Sequence, residues 1–362
     1  MMKSHAYCSR LFTIGKRQEM FHLVLVLVCA VSSIYALTVT RNGLSAQNDV
    51  LYGDYKPNEQ VFNQIRRLFQ SSGCISAYID VGSNIGVQIR KLYEPGKYTG
   101  KDPNMKELAA KFGLLEEPTR EETAAGVVKG QAFWNTTSPV LPIFDEFFGK
   151  APRCQVCAIG IEPNPKHTNR LVLLQKDLRA SGAPVLWLSE TAAGVSNGFA
   201  TLDLASGGGM DVNDVGMSLK SLTGNPPSPT PDGKQLKENS KHDVRIVDLA
   251  ELILYVERLL KKNLESSSSH RSNVKPTMLM KLDVEGGEYE LLPHLLMHRS
   301  LCPFDLIFLE WHNTDTRAAE RNQLLESLED STSVRGCGAV VSSIDDETFL
   351  YDGMPFPASN VC

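Results

Sequence analysis

No block of lysine or arginine in this chain is long enough to track a phosphate backbone, and the formal net charge is -5 at pH 7. Nucleic acid is therefore not an expected partner. Charge is otherwise not scarce: 22% charged against 42% apolar residues is the balance of an ordinary globular protein, which excludes a disordered or collagen-like chain and leaves room for a sizeable core. No internal repeat is present, so the chain reads as one folded domain with additions.

Residues 21–37 contain no Asp, Glu, Lys or Arg, whereas Lys3, Arg10, Lys16 and Arg17 come before them. That absence of charge after a basic stretch is a targeting signal. At 17 residues the run lies at the low end of the roughly 17–25 that span a bilayer, with the basic side cytoplasmic. The expected layout is a basic cytoplasmic tail (1–20), a transmembrane signal anchor (21–37), a stalk (38–57) and a luminal domain (58–362) in the Golgi or endoplasmic reticulum. A cleaved signal peptide, and so a secreted protein, is the rival, because Ser32, Ser33 and Ala36 supply small residues near a cleavage point. The length of the stretch before the apolar run favours the anchor. A buried core helix fits less well with positive charge ahead of an unbroken aliphatic run.

Six cysteines (Cys74, Cys154, Cys157, Cys302, Cys337 and Cys362) follow the anchor, where an oxidising lumen would permit disulfides. Cys154 and Cys157 form a C-x-x-C, but no second C-x-x-C or His pair follows at zinc spacing, so a disulfide or plain core packing is expected there. Asn135 with Thr137 is the only glycosylation sequon, consistent with a luminal domain.

Beyond the stalk, Val61, Ile65 and Leu68 recur at helical spacing and lead into the first of five short apolar runs, at 77–81, 156–161, 184–188, 278–284 and 304–310. These runs alternate with helical patterns, among them the stripe of Leu249, Leu252, Ile253, Val256, Leu259 and Leu260. Such alternation predicts an α/β domain, a doubly wound and mostly parallel sheet. Residues 338–344 and 348–351 flank an acidic turn and predict a closing antiparallel hairpin. Three stretches read as insertions: 94–153, 205–243 and 265–275. The first two are candidates for acceptor recognition, since long loops in a compact domain often line a site; for 205–243 a disordered surface excursion is equally expected.

The strongest local signal is a strand ending in Asp80 followed by Val81, Gly82, Ser83, Asn84, Ile85 and Gly86, then a helical pattern. In open α/β sheets a ligand sits beyond the carboxyl ends of the strands, and Gly lets the backbone approach it. This turn lacks the Gly-x-Gly that offers bare amides to a pyrophosphate, and its carboxylate would repel an anion. A ligand carrying a cationic amine or sulfonium suits it instead. Asp, Asn and Ser also serve as plain helix N-caps, so the turn alone does not decide. The second strand ends in Glu162, where an acid grips a ribose diol; its distance from Asp80 far exceeds the roughly 20 residues of a simple βαβ unit, which requires the first insertion. An exposed Glu before a helix is the plainer reading.

Lys281, Asp283 and Glu285 alternate along an extended chain and so share one face. A Lys–Asp pair that merely holds the strand end is one explanation; a cluster beside a reacting group is the other. The next strand ends in Glu310, Trp311 and His312, which places two proton acceptors around an aromatic ring. For transfer to a hydroxyl, Glu310 or His312 is the candidate base and Asp283 with Glu285 the orienting acids. Trp311 either offers its face to a cation or sugar, or packs in the core. Asp283, Glu285, Glu310 and His312 all fall at strand ends, so convergence on a divalent metal is an alternative reading. A metal-free base role ranks above it, because no helix or loop presents ligands at fixed spacing.

Taken in order, DVGSNIG, GIEPNP, TAAGVSNGFATL, KLDVEGGEYELLPHLL and LIFLEWHN resemble the segments of the FkbM-type methyltransferase family, over residues 77–313. The resemblance implies a class I methyltransferase (Rossmann-like) fold, S-adenosylmethionine as donor, and O-methylation of a glycan or small-molecule hydroxyl. By position, Asp80, Gly82, Ser83, Asn84 and Gly86 match the first cofactor motif, Glu162 the ribose-binding acid, and Asp283 and Glu285 the acidic motif after the fourth strand. The long insertion, the Ser- and Pro-rich loops, and Gly287 where Ala is frequent are departures that bear on the acceptor side. Two other classes stand beside this one. A membrane-tethered binding module that kept the fold without catalysis is opposed by the intact acids, and a nicotinamide-dependent oxidoreductase by the missing glycine fingerprint.

Overall fold

The computed structural model describes residues 58–99, 137–203, 241–267, 275–312, 316–334, 337, 339–343 and 361–362. The expected tail, anchor and stalk, Asn135 of the sequon, and the interiors of the three insertions lie outside the described residues. Among the described residues no helix is long and apolar enough to cross a membrane.

In chain order the elements are helix α1 (Glu59–Ser72), strand β1 (Ser76–Val81), α2 (Val87–Tyr93), a 3-10 turn (Pro95–Tyr98), α3 (Val140–Phe148), β2 (Val156–Glu162), α4 (Pro165–Ala180), β3 (Val185–Ser189), β4 (Thr191–Gly194), β5 (Gly198–Asp203), β6 (Lys241–Asp248), α5 (Leu249–Ser267), β7 (Thr277–Leu282), α6 (Glu288–Met297), β8 (Leu306–Leu309), α7 (Ala318–Val334) and β9 (Val340–Ser342). The main sheet has the order β3-β2-β1-β7-β8-β9 and every pair in it is parallel. Counted within that sheet, the order is that of a doubly wound fold, with its switch point between β1 and β7. The five predicted strands are therefore present. β9 forms in the first limb of the predicted hairpin and pairs in parallel with β8. The intervening helix α7 explains this: a helical crossover returns the chain in the same direction. The second limb, 348–351, lies outside the described residues.

β1 is buried along nearly its whole length because helices cover both faces. Ala77, Ile79 and Val81 join Ile159, Met280 and Ile307 in one layer, packed under the stripes of α1, α5 and α6. Tyr78, Ala158, Trp187, Leu279 and Phe308 form the opposite layer with Ile89 of α2, Phe144 of α3 and Leu174 of α4. The first insertion thus ends in a structural helix, α3, whose Phe144 packs edge-on to Tyr78 at 5.1 Å between ring centroids. The TAAGVSNGFATL stretch builds β4 and β5, which flank β6 in a second sheet of order β4-β6-β5. Sequence periodicity did not announce this sheet, since β4 has four small or polar residues only.

Two disulfides tie the connections at the amino ends of the strands. Cys74 before β1 bonds Cys157 in β2, with 5.6 Å between Cα atoms, and Cys302 before β8 bonds Cys337 before β9, with 4.5 Å. The C-x-x-C is thus not bridged within itself.

Candidate active site at the switch point

The turn after β1 is shaped by contacts with its neighbours. Gly82 has φ +82°, and a β-carbon there would lie 1.7 Å from the carbonyl oxygen of Asp283, so the β1 and β7 turns touch backbone to backbone. Only glycine fits. The amides of Gly82 and Ser83 both donate to Ile161 O at 3.0 Å, which staples the turn to β2. Asn84, itself at φ 48°, donates its amide to Glu162 Oε2 at 2.6 Å, while the Asn164 amide donates to Oε1 at 2.8 Å. Gly86 caps α2 at its N-terminus without any side-chain cap, so Asp80 is not the helix cap that its residue type allowed.

Asp80 is fully buried. Its Oδ2 accepts from Ser83 Oγ at 2.6 Å, and Ser83 Oγ in turn accepts from Trp187 Nε1 at 3.0 Å. Its Oδ1 has no partner among the described residues. Burial pushes the Asp80 carboxyl up to about 6, against the pull of Lys281. Strand alternation decides which way these groups look. Asp80 lies level with Gly160 on one side and Lys281 on the other, and Glu162 stands two residues beyond Gly160, so all four share the face that carries Tyr78.

Past β7 the ladder continues from the Asp283 amide to Val81 O at 3.0 Å, and past β8 from the Glu310 amide to Leu282 O at 3.1 Å. Lys281 pairs with Asp283 and lies 4.0 Å from Glu310. Burial alone would lower the Lys281 ammonium, but Asp283 and Asp80 hold it above its ordinary value. The expected convergence of the second acid group is observed around His312. Its Nε2 lies 3.3 Å from Glu285, 3.3 Å from Glu310 and 3.8 Å from Asp283, and its Nδ1 is 2.8 Å from Glu288. Burial opposes the charge, yet the hydrogen bonds to Glu288 and Glu310 and the field of Glu285 push the imidazole up to about 11. At neutral pH it is an imidazolium and has no lone pair with which to take a proton. Glu285, strained at φ 53°, is pushed by burial up to about 7, with His312 pulling the other way.

Two contributors went unassigned in the sequence. Glu288 is wholly buried, and its Oε1 also accepts from the Val284 and Gly286 amides at 3.2 Å each, so it moulds the β7 turn while holding His312. Its position at the start of a helix was the available signal. Trp187 reads as strand core and is that too, but its N–H reaches Ser83 in the turn after β1. Trp311 packs against the core layer with its ring 5.5 Å from Tyr289, and its Nε1 has no partner among the described residues. Asp283, Glu285 and His312 bring ligand atoms within 4.8 Å of one another, close enough for one cation. In the absence of a cation the protonated His312 supplies the positive charge at that position, and a metal bound there would have to displace its proton.

Two cavities, of about 900 and 400 Å³, lie beside β3, and neither is lined by Asp80, Glu162, Asp283 or His312. The buried, perturbed acids at the switch point are the better guide to chemistry. No family model, curated protein or solved structure matches this chain.

Proposed function

We propose that this chain is an S-adenosylmethionine-dependent O-methyltransferase of the FkbM type, acting on a sugar or another hydroxyl acceptor. The observation that carries the reading is the shared face of Asp80, Glu162 and Lys281, continued by the Asp283 turn, at the carboxyl ends of three adjacent strands beside the switch point. The residues fit such a donor. Among the described residues Asp80 keeps one buried carboxylate oxygen without a hydrogen-bond partner, and the Gly82 turn carries no side chain between the β1 and β7 backbones. Glu162 engages each oxygen with one backbone amide and retains a lone pair on each for ribose hydroxyls. When bound, the donor supplies an electrophilic methyl group on a sulfonium, a cation that this acid-rich edge attracts.

For the acceptor, Glu285 is the base that the local chemistry favours. It is partly exposed, and its carboxyl is raised into the neutral range, where a base is most effective. His312 then serves as a fixed positive charge that holds Glu285, Glu310 and Asp283 on one centre, and Glu310 orients. The two disulfides support folding in an oxidising compartment, in keeping with a luminal domain behind an N-terminal anchor.

Isothermal titration of the full chain with S-adenosylmethionine or S-adenosylhomocysteine tests the reading. Saturable binding that Asp80→Asn and Glu162→Gln each weaken at least tenfold is expected, and no binding by the intact protein ends it. Incubation with deuterated-methyl donor and a cell extract then shows the acceptor by mass. Binding without any labelled product would leave a tethered binding module as the better account.

A further inference from the structure

At the amino end of the sheet two thiols stand apart from the disulfides, Cys154 partly buried and Cys362 exposed. Cys154 sits two residues before β2 on a segment anchored by Arg153, whose guanidinium donates to Leu92 O at 2.6 Å and Gly149 O at 2.9 Å. Cys362 reaches it through tertiary contacts. Its amide donates to Ser181 O at 2.9 Å, and Val361 packs against the second core layer. A β-carbon on Gly182 would lie 2.9 Å from Cys362 Cβ, so that corner has room for the cysteine only because position 182 is glycine. The Cys154 and Cys362 side chains are in hydrogen-bond contact, and both lie close enough to Tyr93 to act on its hydroxyl. That hydroxyl is itself fastened to Val156 O at 2.6 Å and Pro184 O at 3.0 Å, across the β2 and β3 starts.

From this juxtaposition we propose that Cys154 and Cys362 form a third disulfide, which fastens Val361 and Cys362 to the start of β2. The C-x-x-C then acquires a structural meaning. β2 lies between β1 and β3, and the cysteine before it and the cysteine within it are then bonded to different neighbours. Cys157 bonds Cys74 on the β1 side, and Cys154 bonds Cys362 beside the loop that leads into β3. All six cysteines beyond residue 73 are then paired.

Closure removes two protons and two electrons, which a low-molecular-weight disulfide such as oxidised glutathione accepts. The Cys362 thiolate attacks that disulfide and expels one glutathione thiolate; the Cys154 thiolate then attacks the mixed disulfide at the Cys362 sulfur and expels the second.

The test uses the full chain produced in an oxidising compartment, alkylated with N-ethylmaleimide before digestion and digested with trypsin without reduction. Trypsin leaves Cys154 and Cys157 on one peptide. The expected product is a single species joining that peptide to the Cys74 peptide and to the C-terminal peptide, which carries both Cys337 and Cys362 and is itself bonded to the Cys302 peptide, with no adduct on any of the six cysteines. Cys362→Ser should place the adduct on Cys154 and leave Cys157 bonded to Cys74. Adducts on both Cys154 and Cys362 in the native chain would overturn the proposal, and so would a Cys154–Cys157 bond. An adduct on Cys157 in the variant would overturn it equally, because it would reveal the crossed pairing.

Discussion

A carboxylate that is fully buried with one oxygen unsatisfied is a cost in the free protein, and Asp80 is such a group. Its folded value of about 6 lies above the ordinary 3.8, so between those values the folded chain holds the proton more tightly than the unfolded one. Stability from this group is complete below about pH 4 and is lost as pH rises through about 6, a total of about 3 kcal/mol at 1.4 kcal/mol per unit. Asp80→Asn is therefore expected to stabilise the ligand-free protein by up to about 3 kcal/mol at pH 8 and hardly at all at pH 4, while weakening the proposed donor binding at least tenfold. Urea unfolding across that pH range checks it; a gap that does not change with pH would refute the assignment. The same scale holds the proposed base. Activity should rise as pH passes through about 7, where Glu285 ionises, and Glu285→Gln should flatten that rise and lower kcat by about 100-fold, within the usual yield of one base. An unchanged profile in the variant would move the role elsewhere.

Among the elements, β3 carries the hazard common to every sheet edge, a row of unpaired backbone groups. Helix α4 covers it with its own side chains. Gln175 Oε1 accepts from the Trp187 amide at 2.6 Å, and Arg179 Nε donates to Val185 O at 2.7 Å. Removing both by Gln175→Ala and Arg179→Ala should cost about 2 kcal/mol, at roughly 1 kcal/mol per bond, and should promote self-association through the bared strand. Denaturant midpoints and light scattering after gel filtration read the two effects separately. A monodisperse variant with an unshifted midpoint would mean that β3 needs no cover. The edge also bears on Trp187, whose indole reaches Ser83 from β3, so the strand farthest from β1 on that side supports the Asp80 turn.

For the whole molecule the division of labour runs along the strand direction. Both disulfides join segments at the amino ends of the strands, whereas Asp80, Glu162, Asp283 and His312 gather at the carboxyl ends. The crosslinks and the candidate site are thus separated by the length of the sheet. The Cys74–Cys157 and Cys302–Cys337 bonds close loops of 83 and 35 residues, each worth about 4 kcal/mol by loop-closure entropy. Full reduction should lower Tm by at least 10 °C, at 2–4 °C per kcal/mol, yet change donor affinity below Tm by less than twofold. Calorimetry and titration in reductant test this. A parallel loss of affinity would show that the bonds also shape the site.

Within this molecule the sequence by itself determined what is local. Five strands were legible because a strand buried on both faces is a short apolar run bounded by turns, and the acids at their ends were legible because Asp80, Glu162 and Asp283 stand where those runs stop. The tertiary structure alone decided what depends on distant residues meeting. Four carboxylates on His312 require the β7 turn, the start of α6 and the end of β8 to converge. The same holds for the chain from Trp187 through Ser83 to Asp80, for the β4-β6-β5 sheet, for the parallel sense of β9 and for the cysteine pairing. Residue type states what a side chain can bond to; only the folded sheet sets which partner lies within reach and whether water is there to compete.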